Sequence, residues 1–185
     1  MFLGHRINRF GIKPPDEKVE ALVQAKPQEK RPAVEGYLGL LNYYGRFLRN
    51  LSEELHPRTN YCKRVKWIWG LEQQCCFEKT QKMILSAKAL VHYDPNKPLI
   101  LHTDASQYGL GAVMSHIMED GSEHPAGFVS RTMNVAEKNY YQLDKEGAAV
   151  IFGLKKFHKY LCGRRFTTVT DHKPLLTLFG EKQFF

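Results

Sequence analysis

The feature that most constrains the fold is a change of hydrophobic period at "VHYDPNKP", residues 91–98. Before it, apolar residues recur at helical spacing; beyond it they fall in short strand-like runs. "LILHTDA" (99–105), "GLGAVMSHI" (109–117) and "PAGFVSR" (125–131) are three such runs, joined by the turn-like "SQY" and "MEDGSEH". "AEKNYYQLDKEGAAVIFGLKKFHKYLCG" then reads as one long helix with Gly163 as its stop. "RFTTVTD" is a fourth strand, and "KPLLTLF" starts a short helix. The order β-β-β-α-β-α lets the long helix return the fourth strand parallel to one of the first three. The expected class is α/β, a mixed sheet with helices packed on it.

Upstream, residues 1–12 read as a short hairpin or strand ending at Gly11. Pro14 and Pro15 block a helix, and Asp16 is placed to cap one starting near Glu17. A charged loop leads to a second helix from about Ala33, with Leu38, Leu41, Tyr44 and Leu48 on one face. "LEQQCCFEKTQKMILSAKAL" reads as a third amphipathic helix, its turns marked by Leu71, Cys75, Glu78 or Lys79, and Lys82. The Pro/Asn breaker between Leu90 and Leu99 reads as a linker.

Composition narrows the function classes. With 185 residues, 43% hydrophobic, the chain can build one good core, or one domain and part of a second. Its apolar runs are too short to span a bilayer, and "MFLGHRINRFG" lacks the apolar core of a signal peptide, so no membrane partner and an intracellular location are expected. Cys62, Cys75, Cys76 and Cys162 fit no zinc spacing and read as free thiols, and the eight histidines form no HExxH pair. Charge is uneven. Residues 1–98 hold 17 Lys/Arg against 10 Asp/Glu, net +7; residues 99–185 hold 10 against 9, net +1. A basic half beside a near-neutral one fits a polyanion partner, and equally an ordinary solvated surface.

Three carboxylates carry the chemistry. Alternation in "LILHTDA" puts Ile100, His102 and Asp104 on one face, and in "TTVTD" it puts Thr167, Val169 and Asp171 on one. If the first and fourth strands are neighbours, Asp104 and Asp171 come close. On the long helix, Leu143, Val150, Leu154, Phe157 and Leu161 form the apolar stripe, and Glu146 falls on that face or its border. Three clustered carboxylates with no counter-charge repel, unless a hard divalent cation joins them. Taken singly, each also reads as a turn cap or a solvated edge residue.

At these residues the sequence resembles a known family. "HTDASQYGLGAVM", "EHPAGFVSRTMNVAEKNYYQLDKEGAAVIFGLKKFHKYLCGRRF" and "TVTDHKPL" resemble the ribonuclease H domain of gypsy-type LTR retrotransposon Pol polyproteins. "FLGHRINRFGIKPPDEKVEAL", "VEGYLGLLNYYGRFLRNLSEELHP" and "CFEKTQKMILSAKALVHYDPNKP" resemble the end of a reverse transcriptase palm, the thumb and the connecting segment. The resemblance implies residues 1–70 as palm end and mostly helical thumb, 71–98 as connecting helix and linker, and 99–185 as a C-terminally truncated RNase H-like domain. It implies hydrolysis of the RNA strand of an RNA–DNA hybrid, leaving 3′-hydroxyl and 5′-phosphate ends. Asp104, Glu146 and Asp171 match the first three carboxylates of a site for two Mg²⁺ ions. Arg46 and Arg49, with Tyr43 and Tyr44, resemble a thumb helix that packs against a duplex. Lys155, Lys159 and Arg164, with Lys156, His158 and Arg165, would meet hybrid backbone or simply suit the helix dipole. The partners implied are the hybrid and the remainder of a Pol polyprotein.

The chain also departs from that pattern. The family's fourth metal-site residue follows a fifth strand, and "LFGEKQFF" ends before both, so a sheet short of one edge strand is expected. No YxDD occurs, so polymerase activity is not expected of this polypeptide. Arg58 stands where relatives usually have an apolar residue, Cys76 takes an alanine-like place before Phe77, and Gly147 is a helix-weakening choice directly after Glu146. Trp67 and Trp69 read as packing residues. Two readings stay open: a Mg²⁺-dependent hybrid nuclease, or a catalytically inactive remnant that at most binds nucleic acid.

Overall fold

The computed structural model describes residues 1–26, 31–55, 70–87 and 89–175. Arg58, Cys62, Trp67 and Trp69 lie outside them. Strands β1 (Arg6–Asn8) and β2 (Gly11–Lys13) form the expected hairpin, its second strand running on past Gly11. Asn8 closes the turn, its side-chain oxygen accepting the amides of Phe10 and Gly11. Gly11 has a φ of 153°, and a side chain there would overlap the Leu90 carbonyl. That close approach lets Ile12 and Leu90 exchange two backbone hydrogen bonds of 2.8 Å.

Helix α1 spans Asp16–Val23 and differs from expectation at its start. Pro15 takes the cap position, and Asp16 is the first helical residue with no capping bond. Its carboxylate is engaged elsewhere, accepting from Arg6 (2.6 Å) and Lys13 (3.0 Å). Helix α2, Arg31–Tyr43, begins two residues earlier than expected and passes into a 3₁₀ turn, Gly45–Phe47. Leu38, Leu41, Tyr44 and Leu48 are all buried, as their spacing predicts. Helix α3 is Leu71–Leu85, and the residues that mark its turns lie on its exposed side. Leu71 is 90% exposed, whereas Gln73, Cys76, Phe77, Thr80 and Ile84 are buried. Large apolar residues are sparse in this helix, so hydrogen-bonded polar groups fill the face. Tyr37 Oη lies 2.9 Å from Thr80 Oγ1, which donates to the Phe77 carbonyl. Gln81 donates to the Val23 and Ala25 carbonyls at the end of α1. Cys75 and Cys162 are free thiols.

The expected linker is built into the fold. Leu90 bridges Ile12, Val91 donates to the Pro125 carbonyl, and Tyr93 Oη donates to the Tyr160 carbonyl. His116, fully buried, holds the following turn. Its Nε2 accepts the Asp94 amide at 3.1 Å and its Nδ1 lies 3.2 Å from the Pro98 carbonyl.

Strands β3 (Leu99–Ala105), β4 (Gly109–Ile117), β5 (Glu123–Thr132) and β6 (Thr167–Val169) form one sheet in the order β5-β4-β3-β6. β4 is antiparallel to both neighbours, and β6 runs parallel to β3 with His102 opposite Val169. The first and fourth strands are therefore neighbours. The single long helix is in fact three: α4 (Val135–Lys138), α5 (Gln142–Lys156) and α6 (His158–Leu161). Asn134 caps α4 by accepting the Glu137 amide, and Tyr141 is extended ahead of α5. Phe157 leaves helical geometry and buries its ring beside Leu99, Met114 and Leu161, so packing outweighs helix continuity there. Gly163, with φ 74°, follows α6.

Helix α5 covers one face of this sheet. Leu101, Thr103 and Ala112 meet it at Gly153, and Ala105 and Leu110 pack with Ala149 and Phe152. On the other face, Phe128 packs against the core of α2, α3 and the 3₁₀ turn. Each large apolar side chain so buried contributes about 1.5–3 kcal/mol. Among the described residues no helix is long and apolar enough to cross a membrane.

Candidate functional site

Asp104 is the sixth residue of β3, and alternate residues of that strand face opposite ways. Leu99, Leu101, Thr103 and Ala105 are buried, while Ile100, His102 and Asp104 are half-buried. Asp104 thus shares its face with His102, as the pattern predicts, but this face is turned away from α5. Asp171 follows β6, two residues beyond its end. Asp104 and Asp171 line one cavity of about 250 Å³, together with Asn50, His102 and Thr170. Glu146, on α5, does not line it. The three carboxylates therefore approach each other around the end of the β3–β6 pair rather than across one surface.

Their environments differ. Glu146 is only 3% exposed. Its Oε1 accepts from Gln142 Nε2 at 2.7 Å, and Oε2 is buried with no hydrogen-bond partner among the described residues. Burial pushes the Glu146 carboxyl above its usual range. The Gln142 bond opposes this, and the charges of Asp171 and Asp104 add to it. Asp104 Oδ2 accepts from Asn50 Nδ2 at 2.9 Å. Buried polar atoms without partners occur also at Thr103 Oγ1, next to Asp104, and His172 Nδ1, next to Asp171. Such atoms are rare in folded proteins, and the buried Glu146 oxygen is a place where a further polar group or ion would fit. The donors of the three carboxylates are oxygens, the choice of a hard divalent cation. Among the described residues, however, no three His, Cys, Asp or Glu side chains are already arranged to hold a metal ion.

Two residues to which sequence reasoning gave no role stand at the cavity. Asn50 comes from the segment after the 3₁₀ turn, 54 positions before Asp104. No local pattern ties it to the strand, although its φ of 51° is one that asparagine tolerates better than most residues other than glycine. His102 shows the same alternation as Asp104 and is paired with Glu123, Nε2 lying 2.8 Å from Oε1. A second cavity of about 560 Å³ continues from this pair along the open sheet face, between Arg49, Met83 and Phe128.

The basic residues named from sequence are dispersed. Arg49 lines both of these cavities, beside Asp104 and beside Glu123. Arg46 lines a separate groove with His92, Tyr93, Lys156 and Tyr160. Lys155 and Lys159 are exposed. Arg164 serves the chain itself, donating to Tyr93 Oη (2.9 Å) and to the Lys97 carbonyl (2.8 Å).

A four-stranded mixed sheet with one parallel edge pair and a helix packed on it defines an RNase H-like domain, here preceded by a helical segment. Residues 69–168 match the family described as the RNase H-like domain found in reverse transcriptase, and the chain belongs to that family. Among curated relatives it is 38% identical over 184 residues to the "Retrovirus-related Pol polyprotein from transposon 297" of Drosophila melanogaster. It is 34% identical over 178 residues to the "Transposon Tf2-3 polyprotein" of Schizosaccharomyces pombe. These alignments cover 98% and 95% of this chain, but the chain spans only 17% and 13% of those polyproteins. Among solved structures, the foamy viral protease-reverse transcriptase in complex with dsDNA aligns with a TM-score of 0.81 at 19% identity, over 96% of this chain and 37% of that one. The same protein in complex with an RNA/DNA hybrid gives 0.76 at 19% identity, over 99% and 26%. At that identity the likeness establishes the fold.

Proposed function

We propose that this chain supplies the RNA-hydrolysing site of a retroelement Pol polyprotein, acting with Mg²⁺ on the RNA strand of an RNA–DNA hybrid. The observation that carries the reading is the cavity shared by Asp104 and Asp171, together with the buried oxygen of Glu146 that has no partner among the described residues. These three carboxylates are the residues that would hold the cation. When bound, it would neutralise their repulsion, activate water and polarise the phosphodiester. Hydrolysis adds water across the bond to the 3′-oxygen, leaving a 3′-hydroxyl and a 5′-phosphate. Arg49, at the rim of the same cavity, is placed to meet backbone phosphate, the contact that orients a nucleic acid without reading its bases. Choice of RNA over DNA would rest on groove shape and 2′-hydroxyl contacts. The relatives' identity as Pol polyproteins and the solved relative's dsDNA and RNA/DNA hybrid complexes support a nucleic-acid partner.

A second reading, a remnant that binds nucleic acid without cutting it, is favoured by one observation: no three acidic or histidine side chains are arranged for a metal ion among the described residues. One assay separates the two. A labelled RNA–DNA hybrid is incubated with Mg²⁺ and either the chain or its Asp104→Asn variant. Mg²⁺-dependent cleavage lost in the variant is the expected result. Equal cleavage by both, or none by either, refutes the nuclease, and hybrid retention without cleavage establishes the remnant.

A further inference from the structure

We infer that Asn50 is a positioning residue for Asp104, so that the site draws on a residue outside the family-matched segment 69–168. The inference rests on the nuclease reading and extends it. Three strands line up a row of residues at this point: Asp104 on β3 is opposite Gly111 on β4, which is opposite Ser130 on β5. The segment 50–53 lies along that row. Asn50 Nδ2 donates to Asp104 Oδ2 at 2.9 Å, and the Ser52 amide donates to Ser130 Oγ at 3.1 Å. Two glycines make room. A methyl group at Gly111 would overlap the Asn50 side-chain oxygen, and one at Gly109 would lie 2.9 Å from Ser52 Oγ. The fit holds the Asn50 amide between Gly111 and Asp104.

A carboxylate that must present oxygen to a cation gains from a neutral donor on one of its two oxygens. The donor fixes the plane of the carboxyl group and leaves the other oxygen for the ion, the role outer-shell partners play at metal centres. Asn50 does this without adding charge. A lysine or arginine there would compete with the cation, and an aspartate would repel Asp104. The left-handed backbone of Asn50, φ 51°, aims the amide back at the sheet. Asn50 also lines the cavity shared by Asp104 and Asp171, so the donor and the space for an ion are adjacent.

The test uses the full chain and needs no substrate. Thermal midpoints are recorded across a Mg²⁺ titration for wild type, Asp104→Asn, Asn50→Gly and Gly111→Ala. Glycine permits the positive φ of position 50 and deletes the side chain that carries the amide. Gly111→Ala displaces that amide from the other side while leaving Asn50 and every carboxylate in the chain. Loss of an outer-shell partner costs about 10–100-fold in metal affinity. The Mg²⁺ concentration giving half the stabilisation is therefore expected to rise about tenfold or more in both Asn50→Gly and Gly111→Ala. A lower midpoint in chelator with unchanged half-saturation means a structural role only and overturns the inference while sparing the nuclease reading. A wild type without Asp104-dependent Mg²⁺ stabilisation overturns both.

Discussion

Replacing Glu146 by glutamine should stabilise the protein while destroying its proposed activity. The side chain is 3% exposed, and one of its two oxygens has no partner among the described residues. Glutamine keeps the Oε1 acceptor that Gln142 reaches at 2.7 Å and removes the charge. The amide nitrogen that takes the place of Oε2 is itself without a partner among the described residues, so the substitution removes only what a buried charge costs beyond the about 1–3 kcal/mol of a neutral unsatisfied atom. Protonation relieves part of this, because burial and the charges of Asp171 and Asp104 hold the Glu146 carboxyl above its usual 4.5. The net gain is then about 1–2 kcal/mol, a midpoint rise of about 3–6 °C for a chain this size. The sign follows from linkage. A carboxyl raised in the folded state contributes stability that is full below 4.5 and lost as pH climbs through the folded value. The advantage of Glu146→Gln should thus vanish at acid pH and open as pH rises. Thermal melts of both proteins in chelator, over a pH series, measure it. A variant less stable than wild type at alkaline pH, or a gap that ignores pH, refutes the reasoning.

Two further outcomes follow from α5 and its surroundings. A methyl group added at Gly147 would meet nothing within 4 Å, so Gly147→Ala should raise stability by up to about 1 kcal/mol through helix propensity; at Gly153 a methyl would stand 2.9 Å from the Ala112 Cβ, and crowding of about 1–3 kcal/mol should cancel or reverse that gain, as urea titration of the two variants would show. Glu137 accepts both Nη atoms of Arg131, at 2.6 and 2.7 Å, and this pairing holds its carboxyl at about 2. Because Arg131 is more than a third exposed, the pair is worth about 1 kcal/mol. That stability is present above 4.5 and lost as pH falls toward 2, a slope opposite to that of Glu146; Glu137→Gln should remove it from an acid denaturation curve.

Much of the sheet was legible because its signals are local. "LILHTDA" and "GLGAVMSHI" coincide with β3 and β4 since alternation and flanking turns bound them on both sides. The helical half was less so. Leu71 marks a turn of α3 and is exposed, because the buried face of α3 is chosen by what α1 and α2 present to it, and Thr80 with its bond to Tyr37 wins the interior. The break at Phe157 likewise depends on a core cluster of β3, β4 and α6 residues that no periodicity within the helix reveals.

The site divides along the same line. Alternation shows that Asp104 and His102 share a face, but not which face α5 covers, since that depends on strand order. Only once β6 is seen beside β3 do Asp104 and Asp171 share a cavity, and only then is Glu146 found to approach from the far side of the sheet. An approach from two sides explains why Glu146 can be buried while both aspartates stay accessible. It also explains why an amide from a distant segment can reach Asp104: the face turned from α5 is free for residues 50–53 to occupy. What strand alternation reads as an exposed polar face is where the first half of the chain docks, and the contact it makes there is with the carboxylate itself.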